Sequence, residues 1–212
     1  MIPLTTFTQM LIAILVSVFT LSAGAFFWAQ NWKEQRGGKI SPAKLLWLLY
    51  AIILWFVLAP AIALDATVPS GFRILLGGFG LLMWARGVVE LFMLYVTKNW
   101  RPPIGMAHNL LCILFLIVGL GFSLDGGSTF AQSSHLWLVR FVFLLVVSLI
   151  IETTYAFLFH RVVNGQTTGE NGVWFASTED ARFDRINRLT TALNVPLYGF
   201  LLLFLAIACG LW

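Results

Sequence analysis

Three ionisable side chains lie inside long apolar runs of this 212-residue sequence: Arg86, Glu90 and Glu152. An ionised group in the hydrocarbon of a bilayer costs about 2.5 to 3.5 kcal/mol on insertion scales, so such groups normally face the interior of a helix bundle. Arg86 and Glu90 are four residues apart, which places them on one helix face where they can form an ion pair. Glu152 has no basic residue at that spacing, so it is the carboxylate that we expect to bind and release a proton.

Polar residues accompany both carboxylates. Ser148, Glu152 and Tyr155 share one narrow stripe of a helix, which would place a hydroxyl on either side of the carboxylate. If the helices that carry Glu90 and Glu152 are neighbours, Arg86 would bridge the two carboxylates. The sequence therefore predicts a polar pocket that opens toward the cytoplasm, and its candidate ion or substrate pathway consists of Glu90, Glu152, Arg86, Asn109, Tyr155 and Ser148.

The same residues allow two other interpretations. They could form a structural network that joins three helices, with each polar group satisfied by another. Alternatively, His108 and His160 could bind a haem or, together with Glu90 and Glu152, a metal ion. No Glu-x-x-His pair, the typical di-metal pattern of helix bundles, occurs on one predicted helix. We therefore expect no cofactor and keep haem or a metal ion as the alternative.

The composition indicates what positions these residues. The chain is 59% hydrophobic and only 10% charged, which is typical of a membrane protein and not of a soluble domain. A span needs about 20 apolar residues. The sequence predicts an all-α, polytopic integral membrane bundle, a single transmembrane domain over 1–212 with about six transmembrane helices. The predicted spans are about 8–29, 43–64, 72–97, 104–124, 136–160 and 191–211.

Basic residues predict the orientation of the bundle. Ten of the 13 Lys and Arg residues fall in or beside the three loops that follow spans one, three and five. The positive-inside rule therefore places these loops in the cytoplasm and both termini outside. The residues are Lys33, Arg36, Lys39, Lys44, Lys98, Arg101, Arg161, Arg182, Arg185 and Arg188.

The loop at about 161–190 is the longest polar stretch. Residues 177–180, Ser-Thr-Glu-Asp, are typical of a helix N-terminus. Arg182, Arg185 and Arg188 then alternate with apolar residues, which predicts a short amphipathic helix at the cytoplasmic surface before the last span. Contact with anionic lipid is the simplest role for its arginines.

Three function classes are compatible with these features. The first is a small membrane transporter or channel whose Arg/Glu pocket handles protons, cations or a small polar solute. The second is a non-catalytic integral subunit of a larger membrane complex, and the third is a membrane redox or metal-dependent enzyme. The expected partner is the lipid bilayer, and other membrane subunits or further copies of the chain remain open. Nucleic acid is not expected, because the basic residues are scattered through short loops. The expected location is the bacterial cytoplasmic membrane.

Overall fold

The computed structural model describes residues 41–95, 102–125, 135–163 and 181–208. These residues form five long helices, each long and apolar enough to cross a membrane. The predicted span at 8–29 and the predicted helix start at 177–180 lie outside the described residues. The helices are α1 (Pro42–Leu64), α2 (Ser70–Tyr95), α3 (Pro102–Asp125), α4 (Leu136–Val163) and α5 (Ala181–Ala208).

The first four helices match predicted spans two to five within a few residues, but the last helix differs from the prediction. α5 runs from Ala181 to Ala208 without a break, so the segment predicted as a separate surface helix is the first part of the last helix. Arg185 and Arg188 are exposed and Ile186 is buried, as an amphipathic pattern requires. Ile186 packs against the end of α4, so this part of the helix continues the bundle.

α1 begins with a cap and contains an irregular segment. The hydroxyl of Ser41 accepts a hydrogen bond from the backbone N–H of Lys44 at 3.3 Å, a common way to satisfy a helix N-terminus. Lys44, assigned above to the preceding loop, thus lies in the first turn of α1 and is buried. Residues Ile52–Leu58 are π-helical, and the N–H of Ala59 donates to the carbonyl of Leu54, five residues back. Such segments are frequent at functional sites.

The five described helices form a closed ring. Each helix packs against the next in the chain, and α5 packs against α1 to close the ring. α2 and α4 are therefore not packed side by side, because α3 lies between them. Arg86 was expected to bridge Glu90 and Glu152 if the helices that carry them were neighbours, and these helices are not neighbours.

Contacts between side chains define the helix directions and a polar end. Gly71 of α2 lies beside Ser123 of α3, while Gly105 lies beside Arg86, so these two helices are antiparallel. α1, α3 and α5 consequently begin at the same end of the ring, where α2 and α4 finish. We call this end the polar end, because the buried polar side chains described below lie nearer to it. The half toward the opposite end is filled by fully buried apolar residues, among them Phe72, Leu76, Phe79, Leu138, Phe141 and Leu145.

Candidate functional site

Glu152 lies in the interior of the ring. Its side chain is only 2% exposed, and one carboxylate oxygen, Oε1, accepts a hydrogen bond from Nε1 of Trp47. Among the described residues, no basic side chain comes within salt-bridge distance of this carboxylate. Arg86 and Glu90 act on it from α2 only through longer-range electrostatics. Glu152 is therefore a buried carboxylate held by one neutral donor, an arrangement that is costly for a permanent charge.

A stack of aromatic side chains begins beside this carboxylate. The rings of Trp47 and Tyr155 are stacked, with centroids 6.4 Å apart, and Tyr155 stacks in turn on Phe159 at 5.9 Å. The stack extends from Glu152 toward the polar end along α4. It packs α1 against α4 across the ring, beside the Trp47–Glu152 hydrogen bond.

The two hydroxyls predicted to flank Glu152 have other partners. The hydroxyl of Thr190 donates to the carbonyl of Ile186 at 2.8 Å, so the hydroxyl of Tyr155, 3.1 Å away, must donate to Thr190. Ser148 donates to the carbonyl of Leu145 at 2.7 Å. Both hydroxyls thus hydrogen-bond within or between helices, and neither donates to the carboxylate of Glu152.

A second polar group lies between α2 and α3. Nε of Arg86 donates to Oε1 of Glu90 at 2.9 Å, which forms the ion pair expected from their spacing. Nη1 of Arg86 donates to Oδ1 of Asn109 on α3. The exposed fractions of Arg86 and Glu90 are 14% and 26%, whereas Asn109 is only 1% exposed. Arg86 thus binds one carboxylate and one amide, and not two carboxylates.

Trp55 and Gly105 shape the space around Arg86. The guanidinium carbon lies 5.8 Å from the ring centroid of Trp55 in the π-helical segment of α1, within the range of a cation–π contact. On the other side, a Cβ built on Gly105 would lie 3.4 Å from Nη2 of Arg86 and 3.6 Å from Oε1 of Glu90. Glycine therefore lets the backbone of α3 approach the ion pair closely.

His108 is held by contacts on both ring nitrogens. Nε2 lies 3.1 Å from the carbonyl of Leu82, and because a carbonyl can only accept, Nε2 carries the hydrogen. Nδ1 then accepts from the thiol of Cys112, 3.5 Å away. Within the part of the chain that the structure describes, no three His, Cys, Asp or Glu side chains are close enough together to hold a metal ion. The alternative ligand set of His108, His160, Glu90 and Glu152 is thus not assembled.

Two hydrogen bonds join α5 to α1 near the polar end. Nδ2 of Asn194 donates to the carbonyl of Ala43 at 2.8 Å, and the hydroxyl of Tyr198 donates to the carbonyl of Leu46 at 2.9 Å. Tyr198 also packs edge-on against Tyr50 at 5.5 Å. Tyr50 lies near Ser148 and Glu152, so these contacts connect the helix pair to the carboxylate.

Sequence reasoning missed three site residues, Trp47, Trp55 and Thr190. Tryptophan within a span is usually read as an apolar or interfacial residue. One signal was present: a buried indole N–H needs an acceptor, and Glu152 is one of the few acceptor side chains within the spans. The sequence alone could not say which helices bring them together.

Comparisons with protein-family models, curated proteins and solved structures find no match for this chain. Its class therefore follows from its own structure. All described elements are helices, and five of them are long and apolar enough to cross a membrane. This architecture is consistent with an integral membrane protein that has a buried polar site near one end.

Proposed function

We propose that this protein is a small membrane transporter that binds a proton at Glu152 together with a small polar solute. The observation that carries this proposal is the burial of Glu152 without a basic partner within salt-bridge distance among the described residues. An unpaired charge in such a place is expensive, so a carboxylate whose charge is removed and restored fits the site better than one that stays ionised.

The Arg86–Glu90–Asn109 group supports a solute site next to the proton site. Ionisable groups at membrane depth commonly mark substrate or ion paths. The group lies in the same half of the ring as Glu152, and Arg86 acts on Glu152 electrostatically. Protonation of Glu152 and the occupancy of a site at Arg86 are therefore coupled, which is what proton-driven transport requires.

The proposed orientation places the polar end in the cytoplasm. Arg161 lies in the last turn of α4, and Arg185 and Arg188 lie in the first turns of α5 at this end. The predicted basic loops lie on the same side. A first span at about 8–29 would complete six spans with both termini outside. The pocket would then open toward the cytoplasm, and the apolar half of the ring would separate it from the outside.

The test is a flux assay on the purified full chain in proteoliposomes that contain a pH-sensitive dye. Gradients of small neutral, anionic and cationic solutes are imposed one at a time, and proton movement is recorded. We expect at least one solute class to move protons through the parent protein. Glu152→Gln should abolish this proton movement, because the amide keeps an acceptor for Trp47 but cannot exchange a proton at this position.

Asp65→Asn is the matched control. Asp65 lies at the opposite end of the ring, where its Oδ1 accepts from the backbone N–H and the hydroxyl of Thr67, and an amide oxygen can accept the same bonds. The control should transport like the parent, and both variants should keep the parent's melting temperature in detergent. A Glu152→Gln protein that folds and moves protons at the parent's rate would refute the proposal.

A further inference from the structure

Two buried donor groups have no hydrogen-bond partner among the described residues: Nδ2 of Asn109, whose Oδ1 accepts from Arg86, and Nε1 of Trp55, whose ring centroid lies 5.8 Å from the guanidinium carbon. Both side chains are almost fully buried, with exposed fractions of 1% for Asn109 and 4% for Trp55. A buried donor without an acceptor is energetically costly. Two such groups, on side chains that both contact one guanidinium, make this place a candidate ligand site.

The polar groups of these side chains that remain free to form hydrogen bonds are all donors. Asn109 uses its Oδ1 to accept from Arg86, so only its N–H groups remain. Trp55 has a single polar atom, which is a donor. Arg86 spends Nε on Glu90 and one hydrogen of Nη1 on Asn109, which leaves further N–H groups of its planar fork. A ligand for this site must supply acceptor atoms, and a carboxylate presents two oxygens in the geometry that a guanidinium matches.

The balance of charge also favours a carboxylate when it enters with a proton. In the empty site Arg86 is positive while Glu90 and Glu152 are negative, which gives a net charge of about −1 if all three are ionised. One monocarboxylate and one proton on Glu152 add no net charge. Loading therefore does not increase the charge buried in the membrane, whereas an anion without a proton would.

We infer that the solute of the proposed transporter is a small monocarboxylate, whose oxygens accept hydrogen bonds from Arg86, Asn109 and Trp55 while Glu152 takes one proton from the same aqueous phase. This inference rests on the proposed function and specifies its substrate class. The transported pair is electrically neutral. No covalent bond forms or breaks apart from the O–H bond on Glu152, which is broken again when the proton leaves.

The experiment compares radiolabelled lactate with lactamide, its neutral amide, in proteoliposomes that contain the full chain. With an acidic exterior, we expect lactate uptake above that of protein-free vesicles, and no change in uptake when a potassium ionophore clamps the membrane potential. Lactamide should not be taken up with protons. Uptake of lactamide but not of lactate would overturn the inference.

Two substitutions test the donors. Trp55→Phe keeps the ring near Arg86 but removes the N–H, so the KM for lactate should rise roughly 10-fold or more with little change in maximal rate. Trp84→Phe is the matched control, because Trp84 is 62% exposed on the outer surface of α2, and its KM should equal the parent's. Asn109→Asp replaces the donor by a carboxylate beside Arg86 and should abolish lactate uptake while the protein still folds. Equal KM values for the two Trp variants would refute the assignment.

The panel of solutes separates this inference from the proposed function. If a neutral or cationic solute moves with protons, and only when Glu152 is present, the proposed function holds and the carboxylate assignment fails. If no solute moves with protons, both fail. Lactate uptake that is lost in both Glu152→Gln and Asn109→Asp supports both.

Discussion

Replacement of Arg86 by leucine tests whether the polar group between α2 and α3 stabilises the fold. The substitution removes the donor of two hydrogen bonds, one to Glu90 and one to Asn109. It also removes the guanidinium that lies 5.8 Å from the ring centroid of Trp55. Leucine replaces none of these polar contacts, so the main effect comes from the polar groups that are left behind.

The cost follows from the burial of those groups. Removing one partner of a buried ion pair costs about 3 to 5 kcal/mol, but Glu90 is 26% exposed, so solvent offsets part of this loss. Asn109 is fully buried and would keep no partner on its amide oxygen, at about 1 to 3 kcal/mol. We expect a net loss of about 3 kcal/mol, which lowers the melting temperature by roughly 6 to 12 °C for a chain of this length.

The assay is thermal unfolding in detergent for the parent, Arg86→Leu, Glu90→Leu and the double variant. The double variant should be more stable than Arg86→Leu alone, because it no longer leaves the carboxylate of Glu90 without its partner. Equal melting temperatures for Arg86→Leu and the parent would refute the reasoning. So would a double variant whose loss is the sum of the two single losses, since the two side chains would then not interact.

Two further stability predictions concern helix packing. A Cβ on Gly119 would overlap Cδ1 of Leu75, whereas one on Gly121 would meet nothing within 4 Å. Gly119→Ala should therefore be the less stable alanine variant in the same melting assay, and Leu75→Ala should cost less stability in the Gly119→Ala background than in the parent. Equal melting temperatures for the two alanine variants would contradict the close approach of α2 and α3. Tyr155→Phe should lower the stability of the fold by about 0.5 to 1.5 kcal/mol, because Thr190 keeps its hydrogen bond to the helix backbone. Thr190→Val should cost more stability, because it leaves the buried hydroxyl of Tyr155 without its acceptor. The reverse order of stabilities would show that Tyr155 is not the donor.

The sequence predicted the described helices well because their signal is local. A run of about 20 apolar residues is sufficient to indicate a span, and the bounds of α1 to α4 agree with the predictions within a few residues. The continuous α5 was missed because its first turns carry arginines. Their polarity indicates the surface, but it does not indicate whether the helix bends there or continues.

The local part of the site was also predictable. The Arg86–Glu90 pair depends only on a spacing of four residues within one helix. The partners of Glu152 depend on which helices are adjacent, and no local pattern encodes that. The stripe of Ser148, Glu152 and Tyr155 suggested hydroxyl partners, yet serine and threonine hydroxyls inside helices commonly bond to a backbone carbonyl of the preceding turn. Ser148 does so, and the carboxylate of Glu152 accepts a hydrogen bond from the indole of Trp47 instead.

In the proposed transporter, the two halves of the ring separate solute binding from solute passage. The half near the polar end contains Glu152 and the Arg86 group, while the other half is packed with fully buried apolar side chains, and such interiors are as dense as organic crystals. A solute bound at the site therefore cannot cross the apolar half without a change of packing. The melting temperatures of the Arg86 variants test only the polar group around Arg86. The flux through the parent protein tests both steps, because a protein that binds a solute and a proton but never repacks its apolar half would show no flux.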